Sequence, residues 1–294
     1  MGGIFIFLAS ILLALSTVLA HHITQGVNPI VIVFYSFSIA FIFFNIIGLK
    51  NQTFFNLIIK NLKFVMFVNI STAIDWLLIF IALKYINAAL INCFVFGVAP
   101  IATLILDFKS YNTKIKIIQD TAVCVLISIL LFALSIIYYQ NNNMNITADH
   151  IKLGILLSCI SGMATGATVY GCKKLQNCGF NTNSVMRSRF VVIIFIALIW
   201  IIYKNIDISL SFSAMNNIVL LSFIFIILPT FFLQKGIELT IPVSAAIITS
   251  LIPALTYVFQ MFEPNSVFEL KEMITITILS SVVFIATISK NIKG

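Results

Sequence analysis

Long apolar stretches separated by short polar breaks make up most of this chain. The stretches are long enough for an α-helix to cross the hydrocarbon core of a bilayer. Val191 to Ile202 is apolar on every side, whereas a strand of a membrane barrel alternates in polarity over about ten residues. The pattern predicts ten membrane-spanning helices, which we number spans 1 to 10: residues 4–20, 29–49, 63–84, 88–106, 117–138, 152–171, 185–203, 216–235, 242–261 and 270–289.

Composition supports the same fold class, an all-α integral membrane protein. Of the 294 residues, 61% are hydrophobic and only 9% are charged, which is far from the balance of a water-soluble domain. The chain has no phosphate-binding glycine loop, no nucleophile motif and no His and carboxylate cluster at metal-ligand spacing. We therefore expect neither an enzyme nor a protein that holds a metal or cofactor.

The basic residues report topology. The formal net charge is +8, but the lysines and arginines are dispersed at the ends of spans and form no patch for nucleic acid. With the N-terminus inside, 13 of the 17 face the cytoplasm, as the positive-inside rule requires. This predicts two cytoplasmic termini in a bacterial inner membrane. The four that fall outside are Lys84, Lys152, Lys204 and Lys271.

The chain contains an internal repeat. Aligning residues 3–23 with residues 154–174 places Ser10 on Ser161 and Thr17 on Thr168, and a later pair of segments, 82–102 and 235–255, aligns at a similar offset. This predicts two halves, 1–138 and 152–294, joined by a polar linker at 139–151. Since each half has five spans, the second enters the membrane in the opposite orientation, and a site is expected near mid-membrane between the halves.

Two related motifs carry a family resemblance. The turn Ala82-Leu83-Lys84-Tyr85-Ile86-Asn87-Ala88-Ala89 is followed by Pro100 in span 4, and Thr240-Ile241-Pro242-Val243-Ser244-Ala245-Ala246 is followed by Pro253 in span 9. In these features the chain resembles the drug/metabolite transporter superfamily, in particular its EamA-like ten-helix branch. It departs from that pattern at Leu13-Ala14, where relatives often carry Trp-Gly, and at Tyr35, where they often carry Arg.

The resemblance implies a secondary transporter of a small metabolite that does not hydrolyse ATP. Spans 1 to 4 and 6 to 9 would form a central cavity, with spans 5 and 10 at the periphery. Such relatives take up or export amino acids, nucleosides, cofactor-like metabolites and drugs. A substrate and a direction do not follow from the residues, and neither does the oligomeric state, for which a homodimer is one option.

Asp75 is the outstanding candidate for chemistry. It lies about midway along span 3, with no charged residue within eight positions of it. A carboxylate at the centre of a membrane helix costs about 3 kcal/mol, so it should face the bundle interior. It would act as a proton carrier or as the counter-ion of a cationic substrate. The alternative is a structural ion pair with Arg187 or Arg189, although these arginines begin span 7 and are expected to reach the surface more easily.

The sequence offers further candidates for the site besides Asp75. Pro100 and Pro253 each remove a backbone donor within a span, which indicates a broken helix or hinge. Span 6 is dense in small residues from Ser158 to Gly171, a pattern typical of close helix packing, with some hydroxyls facing the cavity. The other residues predicted to bind substrate or support coupling are Tyr35, Trp76, Asn92, Gln234, Tyr257 and Arg189.

The sequence leaves two hypotheses for function. The first is a secondary active transporter of a small polar metabolite, with proton coupling through Asp75. The second is an accessory membrane subunit that transports nothing and packs against a partner complex. Only the first requires Asp75 for anything beyond stability.

Overall fold

A computed structural model describes residues 1–24, 26–48, 54–108, 148–249 and 251–262, together with scattered positions in 118–137 and 270–282. Regular structure in these residues is helical throughout, without a strand, which confirms the all-α class. Seven helical stretches are long and apolar enough to cross a membrane. Spans 5 and 10 are described only in part, and most of the linker at 139–151 lies outside the described residues.

The helices follow the predicted spans closely. Spans 1, 2, 3, 4 and 6 are single long helices, whereas spans 7, 8 and 9 are each interrupted. The helices are α1 (Gly2–Thr24), α2 (Pro29–Gly48), the short α3 (Phe54–Lys60), α4 (Leu62–Ala82), α5 (Ala88–Asp107), α6 (Ala148–Asn177), α7 (Thr182–Ser188), α8 (Val191–Tyr203), α9 (Phe212–Leu221), α10 (Leu228–Glu238), α11 (Pro242–Thr249) and α12 (Ile252–Gln260). A π-helical segment, Ser222–Ile227, joins α9 to α10.

Polar side chains cap several helix starts. The side-chain oxygen Oδ1 of Asn87 accepts from the Leu90 amide at 2.8 Å at the start of α5. The Oδ1 of Asn181 accepts from the Ser184 amide at 2.9 Å at the start of α7. The hydroxyl of Ser211 accepts from the Ala214 amide at 3.2 Å at the start of α9. Each cap satisfies one of the amides that the first turn of a helix leaves unbonded.

The long helices pack in a reciprocal pattern. The first helix of the N-terminal part, α1, packs against α10 and α12, which correspond to spans 8 and 9. The helix α6, which corresponds to span 6, packs against α4 and α5, spans 3 and 4. The contact of α5 with α12 joins the two groups. The helices α2 and α8, which belong to neither group, pack against each other. Each group therefore combines two helices from one half of the chain with the first helix of the other half.

The helices α1 and α6 run in opposite directions through the bundle. Gly2, at the start of α1, lies against Leu239 and Thr240 after the end of α10. Near the end of α6, the Lys173 ammonium donates to the carbonyls of Ile237 and Glu238, both at 3.0 Å. The start of α1 and the end of α6 thus meet the same end of the bundle.

Glycines bring α6 close to the backbone of α5. A Cβ on Gly162 would lie 2.6 Å from the carbonyl oxygen of Val95, and Gly166 lies equally close to the backbone at Ala99. Real Cβ atoms do not approach a carbonyl oxygen this closely, so only glycine fits at either position. The small residues predicted in span 6 therefore serve close helix packing.

The prolines differ in their effects. Pro100 lies inside α5, which runs without interruption from Ala88 to Asp107. Of the two alternatives predicted for this position, a broken helix or a hinge, the helix is not broken. One proline removes one donor, and packed neighbours hold the rest of a membrane helix together. Pro253, in contrast, is the second residue of α12, and Leu251, just before that helix, lies in a turn. Pro229 likewise lies in the first turn of α10, directly after the π-helical segment.

Substitution of Gly162 by Val tests the α5–α6 contact. We expect Gly162→Val to lower the free energy of unfolding by about 1–3 kcal/mol, because the larger side chain overlaps the α5 backbone. The matched control is Met163→Val, one residue along the same helix but exposed by 54% on the outside. The measurement is the midpoint of thermal unfolding in one detergent, and equal midpoints for the two variants would contradict the packing described here.

Candidate functional site

A cavity lies inside the helical bundle, between the two packed groups. It offers about 40 Å³ of space to the centres of water molecules, enough for a few of them. Its wall comes from α1, α4, α5, α6, the junction after α7, the π-helical segment and α10, whereas α2, α11 and α12 contribute no described lining residue. The polar lining residues are Thr17, Asp75, Trp76, Asn92, Thr165, Thr168, Arg189 and Thr230.

Asp75 lies on the cavity wall at the contact between α4 and α6. Its side chain is only 5% exposed. The carboxylate oxygen Oδ1 accepts hydrogen bonds from the hydroxyls of Ser161 at 2.8 Å and Thr165 at 2.7 Å. Thr168, one turn further along α6, donates to the hydroxyl of Ser71 at 2.8 Å. A ladder of hydroxyls on α6 thus holds α4, and the second carboxylate oxygen, Oδ2, receives no hydrogen bond from the described residues.

Arg189 lies on the same wall, at the break between α7 and α8. The side chain of Asn69 satisfies this break, since its amide donates to the Ser188 carbonyl at 2.6 Å and its oxygen accepts from the Val192 amide at 3.4 Å. The guanidinium Nε of Arg189 then donates to the hydroxyl of Thr72 at 2.8 Å. Thr72 precedes Asp75 by one helical turn, so the two charges face the cavity at neighbouring heights.

The two arginines of span 7 have different environments. Contrary to the prediction, neither of them reaches the surface. Arg187 is 9% exposed, stacks on the ring of Phe54 at 4.1 Å and donates to Asn45 and to the Gly48 carbonyl. Arg189 is 4% exposed. No carboxylate of the described residues lies within 4 Å of either guanidinium, so the ion pair with Asp75 that was weighed as an alternative is not formed. Hydroxyl, amide and aromatic groups solvate both charges instead.

An aromatic cluster closes one side of the cavity. The indole of Trp76 meets the rings of Phe37 and Phe225 edge-on, with centroids 5.4 and 5.5 Å apart, and Phe80 packs behind them. Trp76 is 6% exposed, and its Nε1–H has no acceptor among the described residues. A buried indole donor usually finds a partner, so this unpartnered donor is a candidate contact for a ligand.

The remaining predicted residues lie at varying distances from the site. Asn92 lines the cavity and donates to the Thr256 hydroxyl at 2.7 Å, which joins α5 to α12. Gln234 is fully buried on α10, and neither polar atom of its amide has a partner in the ranges described. Tyr257 is buried on α12 outside the cavity wall, and Tyr35 donates to the Ile208 carbonyl near the surface. Pro100 and Pro253 do not line the cavity.

Several lining residues could not be predicted from the sequence. Phe225 and Thr230 reach the cavity from the π-helical segment and the start of α10. The Thr230 hydroxyl bonds to the carbonyl of Ile226 in that segment. Asn69 was missed because an asparagine eight residues into an apolar helix has no distinctive spacing. Such π turns occur often at functional sites.

The fold and the site define a multi-pass helical membrane protein with a charged cavity between its helices. The family model for EamA-like transporters matches residues 1–138, which confirms the resemblance to the drug/metabolite transporter superfamily. No curated protein matches the sequence. A solved structure described as "Crystal structure of protein" is 12% identical, with a TM-score of 0.68 over 96% of this chain and 94% of that one, and this similarity shows the shared fold alone.

Removal of the Ser161 hydroxyl tests the hydrogen bonds that hold the Asp75 carboxylate. We expect Ser161→Ala to lower the free energy of unfolding by about 0.5–2 kcal/mol, because the buried Asp75 carboxylate loses a donor. The matched control is Ser158→Ala on the same helix, since that hydroxyl is equally buried but bonds only to its own helix at Gly154. Unfolding in one detergent mixture gives the comparison, and equal losses would mean that the Ser161 bond to Asp75 adds nothing.

Proposed function

We propose that the protein is a secondary active transporter that moves a small polar metabolite, such as an amino acid, an amine or a cofactor-like compound, across a bacterial inner membrane. Two halves, 1–138 and 152–294, would form ten spans as an inverted repeat around the cavity, with both termini in the cytoplasm. The observation that carries the proposal is the enclosed cavity with Asp75 and Arg189 on its wall. A charged cavity inside a membrane bundle marks a substrate or ion pathway.

The packing of the helices supports the inverted repeat. The contacts of α1 with α10 and α12 (spans 8 and 9) correspond to those of α6 with α4 and α5 (spans 3 and 4) when the two halves are exchanged. The opposite directions of α1 and α6 are what an inverted repeat requires. The moving units we propose are therefore the two packed groups, α4 with α5 and α6 on one side and α1 with α10 and α12 on the other.

The size of the cavity supports alternating access. A space for a few water molecules is smaller than the 300–1,000 Å³ typical of metabolite pockets. A substrate therefore requires the groups to separate. Polar contacts that such a movement would break join the groups at both ends: Lys173 with the carbonyls of Ile237 and Glu238 at one, and Asn92 with Thr256 towards the other.

A comparison of metabolites inside and outside cells tests transport. Bacterial cells express wild type, Asp75→Asn or an empty vector at matched membrane abundance. We expect at least one compound to redistribute with wild type only, because the carboxylate contributes to binding or coupling. Asp207→Asn is the matched control, since Asp207 is exposed in the loop after α8 and bonds only to Ser209.

The same experiment separates the two hypotheses. If no compound shifts with wild type, and Asp75→Asn alters only thermal stability, the accessory-subunit hypothesis gains and transport is contradicted. If a compound shifts, its direction of movement gives uptake or export directly.

Proton coupling has its own test. With the substrate in hand, wild-type transport should depend on an imposed pH gradient, and Asp75→Asn should lose that dependence while keeping some downhill exchange. Transport is measured in proteoliposomes with and without the gradient, with Asp207→Asn again as the control. Full pH-gradient dependence in Asp75→Asn would rule out Asp75 as the proton carrier.

A further inference from the structure

Arg189 is a buried cation that forms no ion pair with a carboxylate of the described residues. Its guanidinium has five N–H donors, of which the described residues engage one, the Nε that bonds to Thr72. The side chain is 4% exposed and lines the cavity. A buried arginine is costly in a membrane unless it is paired, so its unused donors indicate a missing anionic partner.

Asp75 presents the complementary case on the same wall. Both of its recorded side-chain hydrogen bonds go to Oδ1, which leaves Oδ2 without a donor in the part of the chain described. The cavity therefore contains an acceptor without a donor and, at Arg189 and at the Trp76 indole, donors without an acceptor. These are the two kinds of group that a ligand with both charges would satisfy.

Hydroxyl groups fix the two charges separately. Ser161 and Thr165 hold the Asp75 carboxylate, and Thr72 holds the Arg189 guanidinium. Two opposite charges in a low-dielectric cavity attract strongly, and yet these two lie more than 4 Å apart. The groups that hold them preserve a gap between them.

We propose that this cavity binds a substrate that carries a carboxylate and an ammonium group together, with the carboxylate at Arg189 and the Trp76 indole N–H, and the ammonium at Asp75. The inference rests on the proposed transport function and narrows its substrate to α-amino-acid-like zwitterions.

Substrates with a single charge fit this wall less well. A cation at Asp75 would lie beside the unpaired guanidinium, and an anion at Arg189 would lie beside the carboxylate, so each would meet a like charge at close range. A zwitterion satisfies both groups and adds no net charge to the cavity. Arg187 is not part of this site, because it is bonded to Asn45 and Gly48 and stacked on Phe54 away from the cavity.

Ligand-induced thermal stabilisation of the purified full chain in lipid nanodiscs tests the inference. Three pools are compared: the protein α-amino acids with uncharged side chains, their α-amides, which lack the carboxylate, and their N-acetyl forms, which lack the ammonium. We expect the first pool to raise the melting temperature and the other two to raise it much less. If either single-charge pool stabilises equally, or if no pool stabilises, the proposal is overturned.

Variants then assign the role of Arg189. For the amino acid that stabilises wild type most, Arg189→Gln should weaken binding at least about tenfold, the loss expected for a charge-assisted hydrogen bond, and Arg189→Lys should restore it only in part. Lys204→Gln, at the exposed end of α8, is the control and should bind as wild type does. If Arg189 had only a structural role, Arg189→Gln would lower the melting temperature of the ligand-free protein and leave the affinity unchanged. If Arg189→Gln does not fold, the wild-type series alone still decides.

The outcomes separate this inference from the proposed function. A transported compound that lacks either charge would overturn the inference and leave transport standing. The absence of any transported compound would instead contradict the proposed function, whatever the pools do.

Discussion

The rest of the site depends on the burial of one carboxylate at membrane depth. An isolated Asp at the centre of a spanning helix costs about 3 kcal/mol, and Asp75 meets this cost through hydroxyls on a single facing helix. That requirement fixes the rotation of α4 and its register with α6. The glycines on an adjacent face of α6 then allow α5 to approach, so one helix sets both the polar and the apolar contacts of the group.

The sequence predicted the features that hydropathy and local spacing can carry. Seven of the ten predicted spans correspond to membrane-length helical stretches, because a window of about 20 apolar residues is a strong signal. Asp75 stood out since a lone charge in such a window is conspicuous. The turn motif that contains Asn87 was informative through the family resemblance, and the structure adds that the Asn87 side chain caps α5.

The remaining features required contacts between distant parts of the chain. Hydropathy averages over a span, so the interruption at Arg189 and the π turn before Pro229 leave almost no trace in it. The choice between an ion pair and two separate charges depended on Thr72, Ser161 and Thr165, which the sequence does not connect. Arg189 was expected to extend towards the surface, and the Asn69 bonds at the break place it beside α4 instead.

The exchange of first helices between the packed groups has a consequence for biosynthesis. Ser161 and Thr165, which bond to Asp75, are 86 and 90 residues further along the chain, and the helices that cover α1 are made later still. A ribosome that has delivered the first four spans has therefore released a carboxylate whose partners do not yet exist. Assembly of the N-terminal spans around Asp75 must therefore wait until span 6 has been made.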